Sequence, residues 1–299
     1  MNKILKFIYR KIPFKTNIFF ILKKMGWMPS HESYQHLYFN GAFSVEIEQA
    51  KSFKMIHYGY SLENELFWGG LTSCRENISI AIWLELCREA ECVFDIGANT
   101  GIYALLTKTV NPQAKVFAFE PISRICDKLK ENNRINGFDI ICIEKAVSNK
   151  DGAEIIYDLP TEHAYSASLN KYFISESNSF AVEIKTLKLD TFISENKINN
   201  VDLIKVDVET YEPEVFEGFK YFLYQFKPSI LVEVLNNSVA DRLNFLFEGT
   251  DYLYFNIDDT NKKIRQTDRV MKSDDFNYLI CLESKMLMLR NNYFLSNIF

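Results

Sequence analysis

The 299-residue chain lacks cysteine pairs, histidine clusters and long apolar runs. Its six cysteines are scattered without a C-x-x-C motif, which argues against structural zinc and favours reduced thiols in a cytoplasmic protein. Only four histidines occur, so no transition-metal site and no other bound metal is predicted. The net charge of -5 provides no electrostatic footprint for nucleic acid. No repeat or Pro/Gly-rich linker divides the chain.

Acidic residues are absent from the first 27 residues, which contain seven basic ones. The longest apolar run there, IFFIL, is too short to span a bilayer, and no signal-peptide cleavage pattern follows it. Ile4, Leu5, Ile8 and Ile12 share one helical face that basic residues flank. This pattern indicates peripheral contact of residues 1–27 with an anionic membrane surface. A helix packed on the domain with a solvated basic face is the alternative.

Strands and helices alternate regularly from about Ile78 onward. CVFDIG, KVFAFEP and DIICIEKAV are predicted strands, and the segments between them have helical periodicity. AEIIYDL and FAVEIKTL predict an inserted β-hairpin, EPEVFEGFKYFLYQF one helix, and YLYFNID and YLICLES the two final strands. The pattern predicts one doubly wound α/β domain over residues 80–299. Residues 1–79 form an N-terminal extension of predicted helix and irregular structure.

The segment VFDIGANTGIYAL, residues 93–105, runs from a buried strand through a glycine-containing turn into a helix. Such a turn lies at the carboxyl edge of a parallel sheet, where ligands bind. A nicotinamide or flavin dinucleotide requires G-x-G-x-x-G, but Asn99 and Ile102 occupy the second and third glycine positions counted from Gly97. The Gly-Lys-Ser/Thr of a phosphate-binding loop is also absent. The turn therefore suits a ligand without phosphate.

S-adenosylmethionine is such a ligand, so its turn need not be all glycine. Gly97 and Gly101 allow the backbone to approach the methionyl part, and Asp95 adds negative charge near the cationic cofactor. Glu120 ends the next strand, where a carboxylate accepts hydrogen bonds from both ribose hydroxyls. The missing glycines favour this cofactor over NAD. The remaining predicted cofactor contacts are Asn99, Pro121, Ala146 and Asp207.

Four segments, VFDIGANTG, VFAFEP, DLIKVDVETYEPEVFEG and ILVEV, together resemble the FkbM-type S-adenosylmethionine-dependent methyltransferases. The resemblance covers about residues 62–283, including ENELFWGGL upstream. It implies a class I, Rossmann-like, doubly wound sheet of seven strands whose last strand runs antiparallel. Thr210 and Tyr211 depart from the family pattern, which has a glycine and then a small residue there, so the acceptor side differs in shape.

Three acidic residues, Asp207, Glu209 and Glu212, follow the fourth predicted parallel strand. A sulfonium centre, an acceptor proton or a metal would offset their mutual repulsion. Methyl transfer to a hydroxyl needs alignment and removal of a proton. We expect Asp207 to position the methionyl end or the acceptor, and Glu209 or Glu212 to bind the acceptor or act as the general base. Glu212 is equally suited to stabilising a helix N-terminus.

Further candidates lie around the same edge of the sheet. His163 is the histidine best placed to act as a base, in a long polar loop that also contains Ser166 and Ser168 as predicted substrate contacts. Glu233 ends the fifth strand and is a further predicted substrate contact. Glu76 would reach the cofactor or cap a helix.

The sequence therefore predicts an S-adenosylmethionine-dependent O-methyltransferase, cytoplasmic or peripheral at the inner membrane surface. The resemblance implies a hydroxyl on a sugar, glycan or secondary metabolite as the acceptor. Two alternatives stay open: an NAD(P)-dependent nucleotide-sugar oxidoreductase or epimerase, and a non-catalytic cofactor-binding module. The oligomeric state is not predicted.

Overall fold

The computed structural model describes residues 14–30, 37, 39–48, 51–158 and 180–291. The helices are α1 Lys15–Lys24, α2 Ser61–Gly69, α3 Asn77–Cys87, α4 Ile102–Val110, α5 Ser123–Asn136, α6 Leu189–Glu195, α7 Glu212–Glu217, α8 Lys220–Phe226, α9 Asn237–Leu246 and α10 Glu283–Asn291. The strands are β1 Gly41–Glu48, β2 Lys51–His57, β3 Cys92–Ile96, β4 Lys115–Phe119, β5 Ile141–Ile143, β6 Ala146–Val147, β7 Gly152–Asp158, β8 Phe180–Leu187, β9 Leu203–Val206, β10 Ser229–Glu233, β11 Leu253–Asp258, β12 Lys263–Thr267 and β13 Asn277–Cys281. Among these described helices, none has the length and apolar character needed to cross a bilayer.

The large sheet has the strand order β12-β11-β13-β10-β9-β3-β4-β5. β5, β4, β3, β9 and β10 are parallel, and β13 is inserted antiparallel between β10 and β11. The strand order changes direction beside β3, which opens a crevice between the carboxyl ends of β3 and β9. The predicted seven-stranded, doubly wound α/β sheet with an antiparallel last strand is confirmed. β12, which the sequence analysis missed, adds an eighth strand at the edge.

Helices cover both faces of the sheet because the apolar side chains of each central strand alternate. Val93 of β3 contributes to the core under α3 and α4, whereas Phe94 and Ile96 contribute to the core under α6 to α9. β3 is buried along its whole length, as expected for a parallel strand between two helical layers.

The N-terminal extension contains the helices α1 and α2 and, between them, an antiparallel hairpin, β1–β2, that the sequence analysis did not predict. Its strands alternate strictly, with Phe43, Val45, Phe53 and Met55 buried and the residues between them exposed. These side chains join the same core as α3 and α4. The hairpin therefore packs on one face of the sheet domain. The predicted boundary between residues 79 and 80 remains a prediction.

Two predicted elements are interrupted in the structure. DIICIEKAV divides into β5 of the large sheet and β6, which pairs with β8 beside the confirmed β7–β8 hairpin. The predicted helix over residues 212–226 divides into α7 and α8 at Gly218. A Cβ atom there would lie 2.0 Å from the carbonyl oxygen of Ser148. The close approach of the β6–β7 turn is the tertiary feature that requires glycine at this break.

A buried asparagine on α5 connects the N-terminal hairpin to the glycine turn after β3. Asn132 is completely buried. Its side chain accepts a hydrogen bond from the Ile56 N–H at 2.9 Å and donates one to the Thr100 carbonyl at 2.9 Å. One turn further along the same helix, the more accessible Asn136 bonds in the same way to both backbone groups of Lys54, each at 2.7 Å.

We predict that Asn132→Ala lowers the free energy of unfolding by about 2–4 kcal/mol, because it removes this partner from the half-buried Ile56 N–H and from the buried Thr100 carbonyl. Asn136→Ala is the matched control and should cost about 1 kcal/mol or less, since water replaces its bonds. Urea denaturation measures both. Equal losses in the two variants would contradict a role for burial.

Candidate active site

A cavity of about 830 Å³ opens at the carboxyl ends of β3, β4, β9 and β10. The first turn of α2 and the start of α3 form its opposite wall. The cavity brings together most of the residues that the sequence analysis selected. These lining residues are Glu76, Asp95, Gly97, Asn99, Glu120, Pro121, Ala146, Asp207, Glu209 and Glu233.

The turn after β3 contacts the end of β9 closely. Gly97 has a φ of 78°, and a Cβ atom there would lie 1.9 Å from the Asp207 carbonyl oxygen. Gly101 has a φ of 94° at the start of α4, where a Cβ would lie 2.3 Å from Leu129. Both glycines are thus required by positive φ and by packing. Asn99, with a φ of 50°, lies between them on the cavity wall.

Glu120 links the two loops that end β3 and β4. Its Oε2 accepts a hydrogen bond from the Asn99 N–H at 3.1 Å, and its Oε1 accepts one from the Ile122 N–H at 3.0 Å. The side chain is buried at the cavity wall. Because each carboxylate oxygen can accept a second hydrogen bond, this arrangement suits a vicinal diol.

Asp95 has a structural contact as well as a place on the cavity wall. Its Oδ2 accepts a hydrogen bond from the Ala104 N–H at 3.0 Å, in the first turn of α4. Burial raises its pKa to about 7. The side chain therefore fixes the orientation of α4 relative to β3, and its charge is sensitive to what enters the cavity.

Lys205 is the functional candidate that the sequence analysis missed. It lies on β9 opposite Asp95 and is 1% exposed, with its Nζ 3.6 Å from Asp207 Oδ2. Burial opposes its charge, but the carboxylates of Asp207, Glu76 and Glu233 outweigh this effect and raise its pKa. Its Nζ has no hydrogen-bond partner within the described part of the chain. A lysine inside an apolar strand was the available sequence signal, because buried lysines are rare.

The acidic side chains around Lys205 come from three elements. Burial raises the pKa of Glu209 to about 7 and that of Glu233 to about 9, and in both cases the neighbouring Asp207 adds to the shift. Burial also raises the pKa of Glu76, which accepts a hydrogen bond from the Tyr103 hydroxyl. These groups form an acid-rich cavity floor around the buried Lys205.

Glu212 belongs to a different environment from the other two acids of its turn. It is completely buried, does not line the cavity, and accepts hydrogen bonds from the Val208 and Thr210 N–H groups, each at 3.2 Å. Burial raises its pKa to about 8. The geometry favours the alternative of a structural acid at the start of α7 and separates Glu212 from any acceptor. Tyr211 lines the cavity and donates a hydrogen bond to Glu154 at 2.9 Å.

Three predicted residues, His163, Ser166 and Ser168, lie outside the described residues, so their roles remain predictions. Elsewhere in the described chain, no group of three histidine, cysteine or acidic side chains is arranged to hold a metal ion.

The hydrogen-bond acceptors and carboxylates that line the cavity fit S-adenosylmethionine. Asn99 Oδ1 is buried and has no hydrogen-bond partner among the described residues, which leaves it available to a ligand donor. Glu120 is suited to the ribose diol, and the acidic floor beside Gly97 is suited to the ammonium and sulfonium charges. The residues at this edge of the sheet thus match the hydroxyl and cationic groups of this cofactor.

Comparison with known proteins identifies several whose sequences are similar to that of this chain. The chain is 30% identical over 139 residues to the hexuronic acid methyltransferase AglP of Haloferax volcanii, covering 46% of this chain and 54% of that protein. It is 30% identical over 142 residues to the 2-O-methyltransferase NoeI of Sinorhizobium fredii, covering 43% and 57% respectively. The chain therefore spans little more than half the length of these relatives.

Comparison with solved structures finds methyltransferases at low sequence identity. The crystal structure of Methyltransferase FkbM from Methylobacillus flagellatus superposes with a TM-score of 0.42 at 15% identity, over 64% of this chain and 43% of that one. The family model described as the methyltransferase FkbM domain matches residues 95–263, which is more than half of the chain. The match begins near the end of β3 and includes the parallel strands β4, β5, β9 and β10. The chain belongs to the FkbM methyltransferase family.

Proposed function

We propose that the protein transfers a methyl group from S-adenosylmethionine to a hydroxyl group of a sugar, glycan or secondary metabolite. The observation that carries this proposal is the cavity in which a diol-binding carboxylate, Glu120, and a group of acids around Asp207 face the same space. Family membership supports a methyltransferase over the dinucleotide-dependent oxidoreductase. The hexuronic acid and 2-O-methyltransferase relatives support a sugar acceptor.

The chain's own residues would divide the work between cofactor and acceptor. Glu120 and Asn99 would hold the ribose side, and Asp95 and Gly97 the methionyl side. When bound, the cofactor supplies an electrophilic methyl group whose bond to sulfur breaks as the acceptor oxygen attacks. Asp207, beside Gly97, would align the acceptor with that methyl group.

Proton removal from the acceptor hydroxyl requires a base with a pKa near the working pH. Glu209 meets this requirement, with a pKa of about 7 and a half-buried side chain on the cavity wall. Its backbone φ of 53° is unusual for a non-glycine residue and holds the side chain at the turn after β9. Glu209 would accept the hydroxyl proton as the oxygen–methyl bond forms. Lys205 would hold Asp207 in place through the ion pair between Lys205 Nζ and Asp207 Oδ2, which are 3.6 Å apart.

We infer a cytoplasmic location from the thiols. All six cysteines are free, and five of them are buried. Such thiols persist in a reducing compartment.

The cofactor assignment predicts that S-adenosylhomocysteine binds and that NADH does not, as measured by titration calorimetry. Glu120→Ala should weaken S-adenosylhomocysteine binding by about 1–3 kcal/mol, because the ribose loses charge-assisted hydrogen bonds. Glu144→Ala, which removes an accessible carboxylate paired with Lys130, should leave the affinity unchanged. Tight NADH binding without S-adenosylhomocysteine binding would refute the cofactor. An unchanged affinity in Glu120→Ala would remove this residue from the ribose site.

The base assignment predicts that Glu209→Gln binds S-adenosylhomocysteine nearly normally but loses turnover on the order of 10²-fold or more. Asp207→Asn should impair both. In the parent protein, kcat/KM should fall as the pH drops below about 7, the pKa of Glu209, because the base becomes protonated. This acidic limb should disappear in Glu209→Gln.

These measurements use the acceptor identified by metabolite profiling of a deletion strain, as the compound that lacks one methyl group. Full turnover in Glu209→Gln would show that the base lies elsewhere, and His163→Ala would then be tested in the same way. An acceptor methylated equally by the parent and by both variants would contradict the assigned roles of this turn.

A further inference from the structure

Helix α1 is apolar on two opposite sides. On one side, Phe19 is buried against Trp68, with ring centroids 5.5 Å apart, and Lys23 donates a hydrogen bond to the Phe67 carbonyl. Leu22 also packs against this core. These contacts fix α1 on α2 and determine which side of the helix faces away from the protein.

The other side carries large apolar residues that the protein leaves exposed. Phe14, Ile18, Ile21 and Met25 are 75%, 43%, 58% and 77% exposed. Ile18 and Ile21 lie on one face of α1, and Phe14 and Met25, which flank the two ends of the helix, continue the spacing of four, three and four residues. We call these four residues the apolar stripe. A helix that faced only water on this side would carry polar residues there.

The charged residues of α1 itself have one sign. Lys15 and Lys24 lie on α1 on either side of the stripe by helical spacing, and no acidic residue occurs before Glu32. Trp27 follows the helix and is 45% exposed, while one edge of its ring contacts Trp68. Apolar residues flanked by cations, with a tryptophan at the boundary, match the acyl, phosphate and interfacial layers of an anionic membrane.

We propose that α1 docks the protein on an anionic lipid surface, with the apolar stripe inserted among the acyl chains and the flanking lysines at the headgroups. An acidic protein partner would match the charge of the lysines, but it would not explain the exposed apolar stripe between them. Because α1 rests on α2, and the first turn of α2 lines the cavity, docking couples the membrane surface to one wall of the candidate active site. The docking itself does not depend on the identity of the methyl acceptor.

Flotation with vesicles tests the proposal on the full chain. The parent should float with vesicles of phosphatidylcholine and phosphatidylglycerol in equal parts, and not with phosphatidylcholine alone, and added salt should weaken the association. The triple substitution Ile18→Ser, Ile21→Ser and Met25→Ser should reduce the bound fraction by about tenfold or more. Phe245→Ser removes an equally exposed apolar residue, 74% exposed on α9, and should float like the parent.

Two further measurements keep the result decisive. S-adenosylhomocysteine titration and circular dichroism establish that the triple variant is folded. If it is not, quenching of the parent's tryptophan fluorescence by brominated phosphatidylglycerol decides, and Trp27→Phe should remove most of that quenching because Trp68 and Trp83 are buried.

Equal flotation of parent and triple variant, or no flotation and no quenching in the parent, would overturn the proposal. So would a parent dimer, seen by sedimentation, that the triple variant converts to monomer without any change in flotation. In that outcome the apolar stripe is an interface between two copies of the chain. Loss of S-adenosylhomocysteine binding in the parent would instead refute the proposed function and leave the docking result intact.

Discussion

The contact between the turn after β3 and the end of β9 constrains the rest of the site. The Asp207 carbonyl approaches Gly97 so closely that no side chain fits between them. This contact holds the two loops at the point where the strand order of the sheet changes direction. A ligand that touches the glycine turn therefore also lies beside the acids after β9. The proposed cofactor and acceptor sites share one cavity because these two backbones are in contact.

A buried charge organises the floor of that cavity. Removing an ammonium group from water is costly, and the carboxylates around Lys205 offset that cost. They lie just before α3, just after β9 and at the end of β10, so Lys205 interacts with elements that are far apart in sequence. Burial raises the pKa values of Glu209 and Glu233, which share this floor, above those of isolated carboxylates. The proposed role of Glu209 as a base near neutral pH depends on this arrangement.

The N-terminal extension supplies a wall of the candidate site as well as the proposed docking surface. Its hairpin shares the core of α3 and α4, and Asn132 ties β2 to the glycine turn. The first turn of α2 lines the cavity on one side, and the other end of α2 carries α1. The extension thus connects the cofactor turn to the surface of the protein through continuous packing.

The sequence by itself determined the parallel α/β domain and the cofactor turn. These depend on local signals: apolar strands alternating with helical periods, and glycines where the backbone needs positive φ. The sequence did not predict β1–β2, the break at Gly218 or the eighth strand, which depend on contacts between distant segments. Only the tertiary structure separated Glu212 from Glu209, since both follow the same strand but one carboxylate turns into the backbone and the other lines the cavity. The surroundings of Lys205 also depend on the tertiary structure, because the carboxylates that interact with its charge come from distant segments that only folding brings together.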